Sequence, residues 1–471
     1  MEYDVIIVGA GPTGYMCAYR LLEQNKNLKV LLVDKGKDIK SRICPLLSHK
    51  LLTCPKTVKG TGCLPSCSIT TGFGGAGAFS DGKFNITSQF GGWLSDYISE
   101  EQLLSLIKYC DDVNLKFGAT KVLTDPYTDE VRKIEQTAIG VGLMLLRAKV
   151  RHLGTEENVK ILSKIKDSLS EMGADFIFEK ALSDIIVEDS KVQGVVLEDG
   201  REIKAREVVL GLGREGSTFL EKMLRRHKVG FRNNQVDIGV RVETSNIVMQ
   251  DINKYLYEGK FVFNSHSGTQ VRTFCSNPSG HVVVENDDGV ILANGHSYND
   301  PKLGSENTNF ALLVSHKFSE PFTDPNQFAK DVASLANRLS CGSVIVQKYG
   351  DLKRGRRSTP KRIEQGFVRP TLKEAVPGDL GLCLPYKTLA SIIDMIEALD
   401  HVTPGIANEH TLLYGVEAKF YSARPDTDMN LEVKGISNLY CGGDGAGITR
   451  GLAQAGASGV LIADSILSKG E

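Results

Sequence analysis

Short apolar runs alternate with helical periods from the first residues onward. Asp4–Val8 is a run rich in Val and Ile, which predicts a buried strand. Tyr15–Gln24 has helical spacing, and Lys29–Val33 repeats the strand signal, with Asp34 at its end. Lys35–Ser68 shows little periodicity and reads as a long loop, a kind of segment that is usually functional. Helical periods return over Glu100–Phe117, Glu130–Leu146 and Glu156–Met172. Ala174–Phe178 reads as a strand, Asp184–Glu188, Val192–Leu197 and Glu202–Ala205 as hairpin strands, and Glu207–Leu212 as another buried strand. Beyond Gly216 the pattern is mixed. Strands are expected at Val236–Glu243, Lys260–Phe263, His281–Glu285 and Gly289–Ala293, and helices at Gln327–Leu339 and Leu389–Leu399.

Glycines give the first β-α-β stretch its chemistry. Gly9, Gly11 and Gly14 stand in GxGxxG spacing between strand and helix, with Pro12 inside the motif. The first allows the tight turn, the second lets backbone approach a pyrophosphate, and the third permits close helix–strand packing. The helix start offers N–H groups and a positive dipole end to phosphates. Asp34, twenty residues after Gly14, can accept from ribose hydroxyls. The fold class expected is α/β: a Rossmann-type dinucleotide-binding domain, discontinuous, with an inserted β-meander, beside a mixed α+β substrate or cap domain. Its pieces are expected at residues 1–95, 155–215 and 430–471, with a helical insertion at 96–154 and the substrate domain at 216–429. A second motif, Gly211-x-Gly213-x-x-Gly216, has no acid-ended strand at the right distance behind it. It reads as the strand returning to the same domain, so a dedicated NAD(P)H domain is not expected. NAD(P)H remains as a transient electron donor.

Composition narrows the class further. The 471 residues carry a formal net charge of -1, with 41% hydrophobic and 24% charged residues. That balance gives no general attraction to nucleic acid or anionic membranes. No apolar run nears the ~20 residues that span a bilayer. A strand beginning near Met1 leaves no room for a signal peptide, so a cytoplasmic protein is expected. Ten cysteines then predict reduced thiols or a metal or redox site, rather than a disulfide framework.

The far end reads GISNLYCGGDGAGITRGLAQAGASGVLIADSI, a strand, a Gly-Gly-Asp-Gly turn and a helix of small residues. It resembles the segment that completes FAD sites in flavoproteins of the glutathione-reductase type. Together with GFGGAGAFSDGK at 72–83, RHLGT at 151–155 and GVRVE at 239–243, it is similar to a family of FAD-dependent dehydrogenases of largely unassigned reaction. The resemblance spans nearly the whole chain. It implies FAD, with Asp444 accepting from the ribityl chain and Gly443 and Gly445 beside it. The cofactor contacts expected are Gly9, Gly11, Pro12, Gly14, Asp34, Lys35, Arg42, Gly74, Gly75, Ala76, Asp81, Gly213, Gly443, Asp444, Gly445 and Ile448. Asp34 stands where most such proteins are expected to have Glu, so its ribose contact is expected to be longer or water-mediated.

Catalytic candidates are Lys83 and His152, with Arg151, beside glycine-rich turns expected near the flavin. A cation near N1 stabilises reduced flavin, and a histidine can deliver a proton. Cys44, Cys54, Cys63 and Cys67 are weak metal candidates; their loose spacing favours ordinary thiols, and a redox Cys63–Cys67 pair lacks a histidine after His410 as base. Cys275 reads as a small hydrophobe. The basic run Lys353–Arg362 has no interleaved aromatics, so a base-stacking platform is not indicated. The expected activity is FAD-dependent hydride transfer to or from an unidentified small organic substrate. A tRNA-modifying flavoprotein and a flavin-bound redox sensor using the cysteine group are the alternatives.

Overall fold

Glu2–Val8 is apolar from Val5 to Val8, and these four side chains are at most 4% exposed. A run buried on both faces is what the middle of a parallel sheet requires. The structure is a computed structural model. It describes residues 2–469 except 46–47, 49, 51–62, 64–65, 81, 257–258, 288, 299, 320 and 323. The chain forms two compact units, one of residues 1–124, 148–232 and 422–471, the other of 125–147 and 233–421. The segment 96–154, expected as a separate helical insertion, is therefore divided between the two.

In the first unit the main elements begin with β1 (Glu2–Val8), α1 (Pro12–Gln24), β2 (Val30–Asp34), β3 (Lys83–Ile86), α2 (Glu100–Lys116), β4 (Lys149–His152) and α3 (Thr155–Glu171). They continue with β5 (Asp175–Phe178), β6 (Leu182–Glu188), β7 (Lys191–Leu197), β8 (Glu202–Leu210), α4 (Ser217–Arg226), β9 (Leu439–Cys441) and α5 (Leu452–Ser468). The sheet order is β5-β2-β1-β8-β7-β6, with β9 also paired to β8. β1 runs parallel to β2 and β8, with Ile7 opposite Leu32 and Val209. β6 and β7 form a hairpin whose two-residue turn, Asp189-Ser190, has φ of 49° and 59°. Both residues lie in the left-handed region that a tight hairpin needs.

Two sequence expectations change here. Glu202–Ala205 and Glu207–Leu212 are one strand, β8. Its first half pairs with β7 and its second half with β9, so the neighbour changes while the strand continues. The helix expected over Glu130–Leu146 stops at Gly140, where Gly142 turns at φ 78°. Leu143–Leu146 is a strand paired with Lys260–Phe263. Its alternation of buried Leu143 and Leu145 with exposed Met144 is hidden inside a continuous apolar run.

The second unit is built on an eight-stranded sheet. At its middle, Val236–Ser245 and Asn307–His316 pair antiparallel over their whole length. Val236, Ile238, Val240 and Val242 join an apolar core with helices Pro325–Leu339 and Tyr386–Val402. The alternate positions carry Asp237, Arg241 and Glu243, each 0–1% exposed. Among the described residues no helix is long and apolar enough to cross a membrane.

Glu207, on β8, is a titratable group in this frame. Burial pushes its carboxyl up to about 7 from an ordinary 4.5, against the pull of Lys469 at 3.9 Å. The folded state therefore holds the proton that the unfolded chain loses first. This contribution to stability is complete below about pH 4.5 and is lost as pH rises to about 7. Glu207→Gln is expected to flatten this slope, by up to about 3 kcal/mol, in urea midpoints compared across that window.

Candidate functional site

Four glycine-bearing turns meet at the carboxyl ends of β1, β8 and β9. Gly211 N donates to Val8 O at 2.8 Å, Gly442 N to Leu210 O at 3.1 Å, Gly445 N to Leu212 O at 2.9 Å, and Gly74 N to Ala10 O at 2.8 Å. The approach is closest where glycine stands. A Cβ on Gly14 would lie 1.8 Å from Gly9 O, and one on Gly445 would lie 2.4 Å from Leu212 O. The Gly211–Gly213 motif is thus part of the first nucleotide unit, since β8 lies between β1 and β7.

No side chain caps α1 at Gly11, and Pro12 fills a first-turn position. A helix end of this kind offers N–H groups to an anion. α5 packs directly against α1. Thr13 Oγ1 donates to Ala455 O at 2.9 Å, and a Cβ on Gly459 would lie 2.0 Å from Thr13 O. The small residues read at the far end of the chain are what let the two helices touch.

Asp34 closes β2 and holds the first turn from below. Its Oδ2 accepts from Ala10 N at 2.8 Å and its Oδ1 from Gly36 N at 2.7 Å. A carboxylate has about four acceptor positions, so two bonds leave capacity for a ribose hydroxyl. Asp444 Oδ1 accepts from Thr449 Oγ1 at 2.7 Å. Gly74, at φ 85°, and Gly75 bring the second turn against the first; Ala76 is exposed. Ile448 is fully buried, and its carbonyl accepts from Trp93 N at 2.8 Å. Asp81 lies outside the described residues.

Two expected cofactor contacts are otherwise engaged. Arg42 is 4% exposed and donates to the carbonyls of Ser68, Phe73 and Ile69 at 2.9, 2.6 and 2.8 Å. Burial pushes its guanidinium down to about 10. It braces the turn that leads into Gly74. Lys35 pairs with Glu215 at 3.1 Å, and Glu215 also accepts from Thr70 Oγ1 at 2.8 Å.

Lys83 and His152 face each other directly across the β3–β4 ladder. Lys83 is half-buried and His152 exposed. Arg151 has a different role. Its Nε and a terminal nitrogen grip the two Asp111 oxygens at 2.6 and 2.7 Å, and the pair is buried. The sequence reading missed this brace. It also missed the segment 90–94, where Gln454 Nε2 donates to Phe90 O at 3.2 Å and Gly92 bridges Thr449. The Gly91-Gly92-Trp93 run, with the chain's single tryptophan, was the available signal.

Among the described residues no group of three or more His, Cys, Asp or Glu is arranged to hold a metal ion. Cys44, Cys63 and Cys67 are half-buried, and Cys54 lies outside the described residues. In the basic run, Lys353 pairs with Glu397, Arg354 with Glu409, and Arg356 and Arg362 with Asp351, at 2.7 to 3.3 Å.

Residues 235–420 match the model of the FAD-dependent protein, C-terminal domain-like, and residues 7–42 that of the NAD(P)-binding Rossmann-like domain. An uncharacterised protein of Clostridium beijerinckii is 26% identical over 483 residues, covering 98% of this chain and 80% of that one. Alcohol oxidase of Candida boidinii is 27% identical over 239 residues, 44% of this chain and 36% of that one. Among solved structures, glycine oxidase from Bacillus cereus is similar with a TM-score of 0.37 and 14% identity, covering 100% of this chain and 96% of that one. Of the two matched models, the first is of an FAD-dependent protein and the second of a nucleotide-binding Rossmann-like domain.

Proposed function

We propose that the chain holds FAD across the glycine turns of its first unit and passes hydride between flavin N5 and a small organic substrate. The observation that carries this reading is the meeting of four glycine-bearing turns at one sheet end, beside an uncapped helix start. The α1 start and Gly11 would take the pyrophosphate, Asp34 the ribose, and Asp444, with Gly443 and Gly445, the ribityl chain. When bound, FAD supplies hydride chemistry that no side chain possesses. Lys83 and His152, paired across their ladder, are the residues that would supply positive charge and a proton. NADH or NADPH would serve as a transient electron donor, which stopped-flow reduction by each tests. The internal pairing of the basic run does not favour the RNA alternative.

The purified protein is expected to be yellow and to release FAD, not FMN, on denaturation. A colourless protein that refuses added FAD overturns the reading. Asp444→Ala is expected to weaken FAD retention by about 1–3 kcal/mol, the cost of losing a charged hydrogen-bond partner. Equilibrium dialysis with fluorescence detection measures it, and undiminished retention removes Asp444 from the site.

A further inference from the structure

Charges are seldom buried unless their bonds are complete. In the second unit the incomplete bonds of three neighbouring residues gather around one buried arginine. Arg241, Asn309 and Glu417 lie on the polar face of the central strands and are each at most 1% exposed. Arg241 Nε donates to Asn309 Oδ1 at 2.8 Å, and one terminal nitrogen to the Cys275 carbonyl at 3.2 Å. Its other terminal nitrogen stands 3.5 Å from Glu417 Oε1, wide for a charge-assisted bond. Lys419 reaches that same oxygen at 3.3 Å. Two cations therefore share one oxygen of one carboxylate.

The remaining atoms of the group have no partner. Glu417 Oε2 and Asn309 Nδ2 are buried without a hydrogen bond, as is Ser276 Oγ beside the Cys275 carbonyl. The Asn309 amide is oriented by its contacts, because Oδ1 accepts from both Arg241 and Asn277. Its Nδ2 must then donate elsewhere. Glu243, two residues along the strand from Arg241, is by contrast satisfied: it accepts from Tyr414 and from both the hydroxyl and the N–H of Thr371.

We infer that Arg241, Asn309 and Glu417 form a binding site for a small carboxylate that carries its own amino or hydroxyl donor. The ligand carboxylate answers the excess positive charge and the free Asn309 N–H. The ligand's N–H or O–H answers Glu417 Oε2. This assignment rests on the reading of the second unit as the substrate side, and it names the substrate class.

Isothermal calorimetry on the protein as purified tests the site with L-alanine, lactate and, lacking the donor, propionate. Saturable binding of alanine or lactate is expected, with propionate at least tenfold weaker. Glu417→Gln and Asn309→Ala are each expected to lower the affinity at least tenfold. No binding of any of the three acids, or unchanged affinity in both variants, overturns the inference. Should either variant fail to fold, half-buried Ser276→Ala decides: a loss of threefold or more supports the site, and none overturns it. Binding is read without turnover. An acid that binds and never reduces the flavin supports the site and overturns the redox reading alone. Flavin reduction by another substrate class with no acid bound overturns the site alone.

Discussion

A Gly11→Val variant is expected to fold normally and to come off the column colourless. Gly11 has φ -76° and ψ -173°, an extended conformation open to any residue. A Cβ there meets nothing closer than Gly75 Cα at 3.8 Å. The backbone thus does not require glycine at this position. What a side chain would fill is the space between two glycine turns at the start of α1, where the pyrophosphate is proposed to lie. Flavin absorbance per chain is expected to fall at least 100-fold below wild type at limiting FAD, about 3 kcal/mol. The thermal midpoint of the flavin-free proteins should stay within a few degrees. A Gly11→Val protein that keeps its flavin moves the proposed pyrophosphate site elsewhere. Gly14 makes the contrast, because its Cβ would strike Gly9 O. A substitution there is expected to damage fold and flavin together.

Arg151→Met is expected to destabilise the first unit strongly, by about 3–5 kcal/mol. The guanidinium takes both oxygens of Asp111 and also the Thr120 carbonyl, with side chains 3% and 7% exposed. Removing it leaves a buried carboxylate without its countercharge. The double variant Arg151→Met with Asp111→Leu should recover much of the loss, because it removes both charges and fills similar volume. Urea denaturation of the three variants measures this. A single variant as stable as wild type would mean that the pair contributes little, and would reopen Arg151 as a functional group.

These two predictions separate what is local from what is not. The GxGxxG turn, Asp34 and the Gly-Gly-Asp-Gly turn were legible because each needs only a strand, a turn and a helix contiguous in sequence. The spacing of Gly9, Gly11 and Gly14 specifies its own geometry within one turn. Lys83 and His152 could be named as polar residues near glycines, but their pairing needed the β3–β4 register. Leu143–Leu146 was misread because a short apolar run has no period of its own, and its partner strand lies more than a hundred residues away.

By itself the sequence determined the first strand, helix and second strand of the nucleotide unit and the glycine spacing between them. Glycine spacing and hydrophobic period act over neighbouring residues, and a reader of the chain sees those directly. Only the tertiary structure decided which charged groups are braces and which are available. Arg42 and Arg151 looked like cofactor or catalytic cations until their carbonyl and carboxylate partners, distant in the chain, closed around them. Conversely, Arg241, Asn309 and Glu417 come from three strands far apart in sequence. No spacing rule joins them, because a sheet brings strands together by pairing, and pairing is indifferent to the length of chain between them.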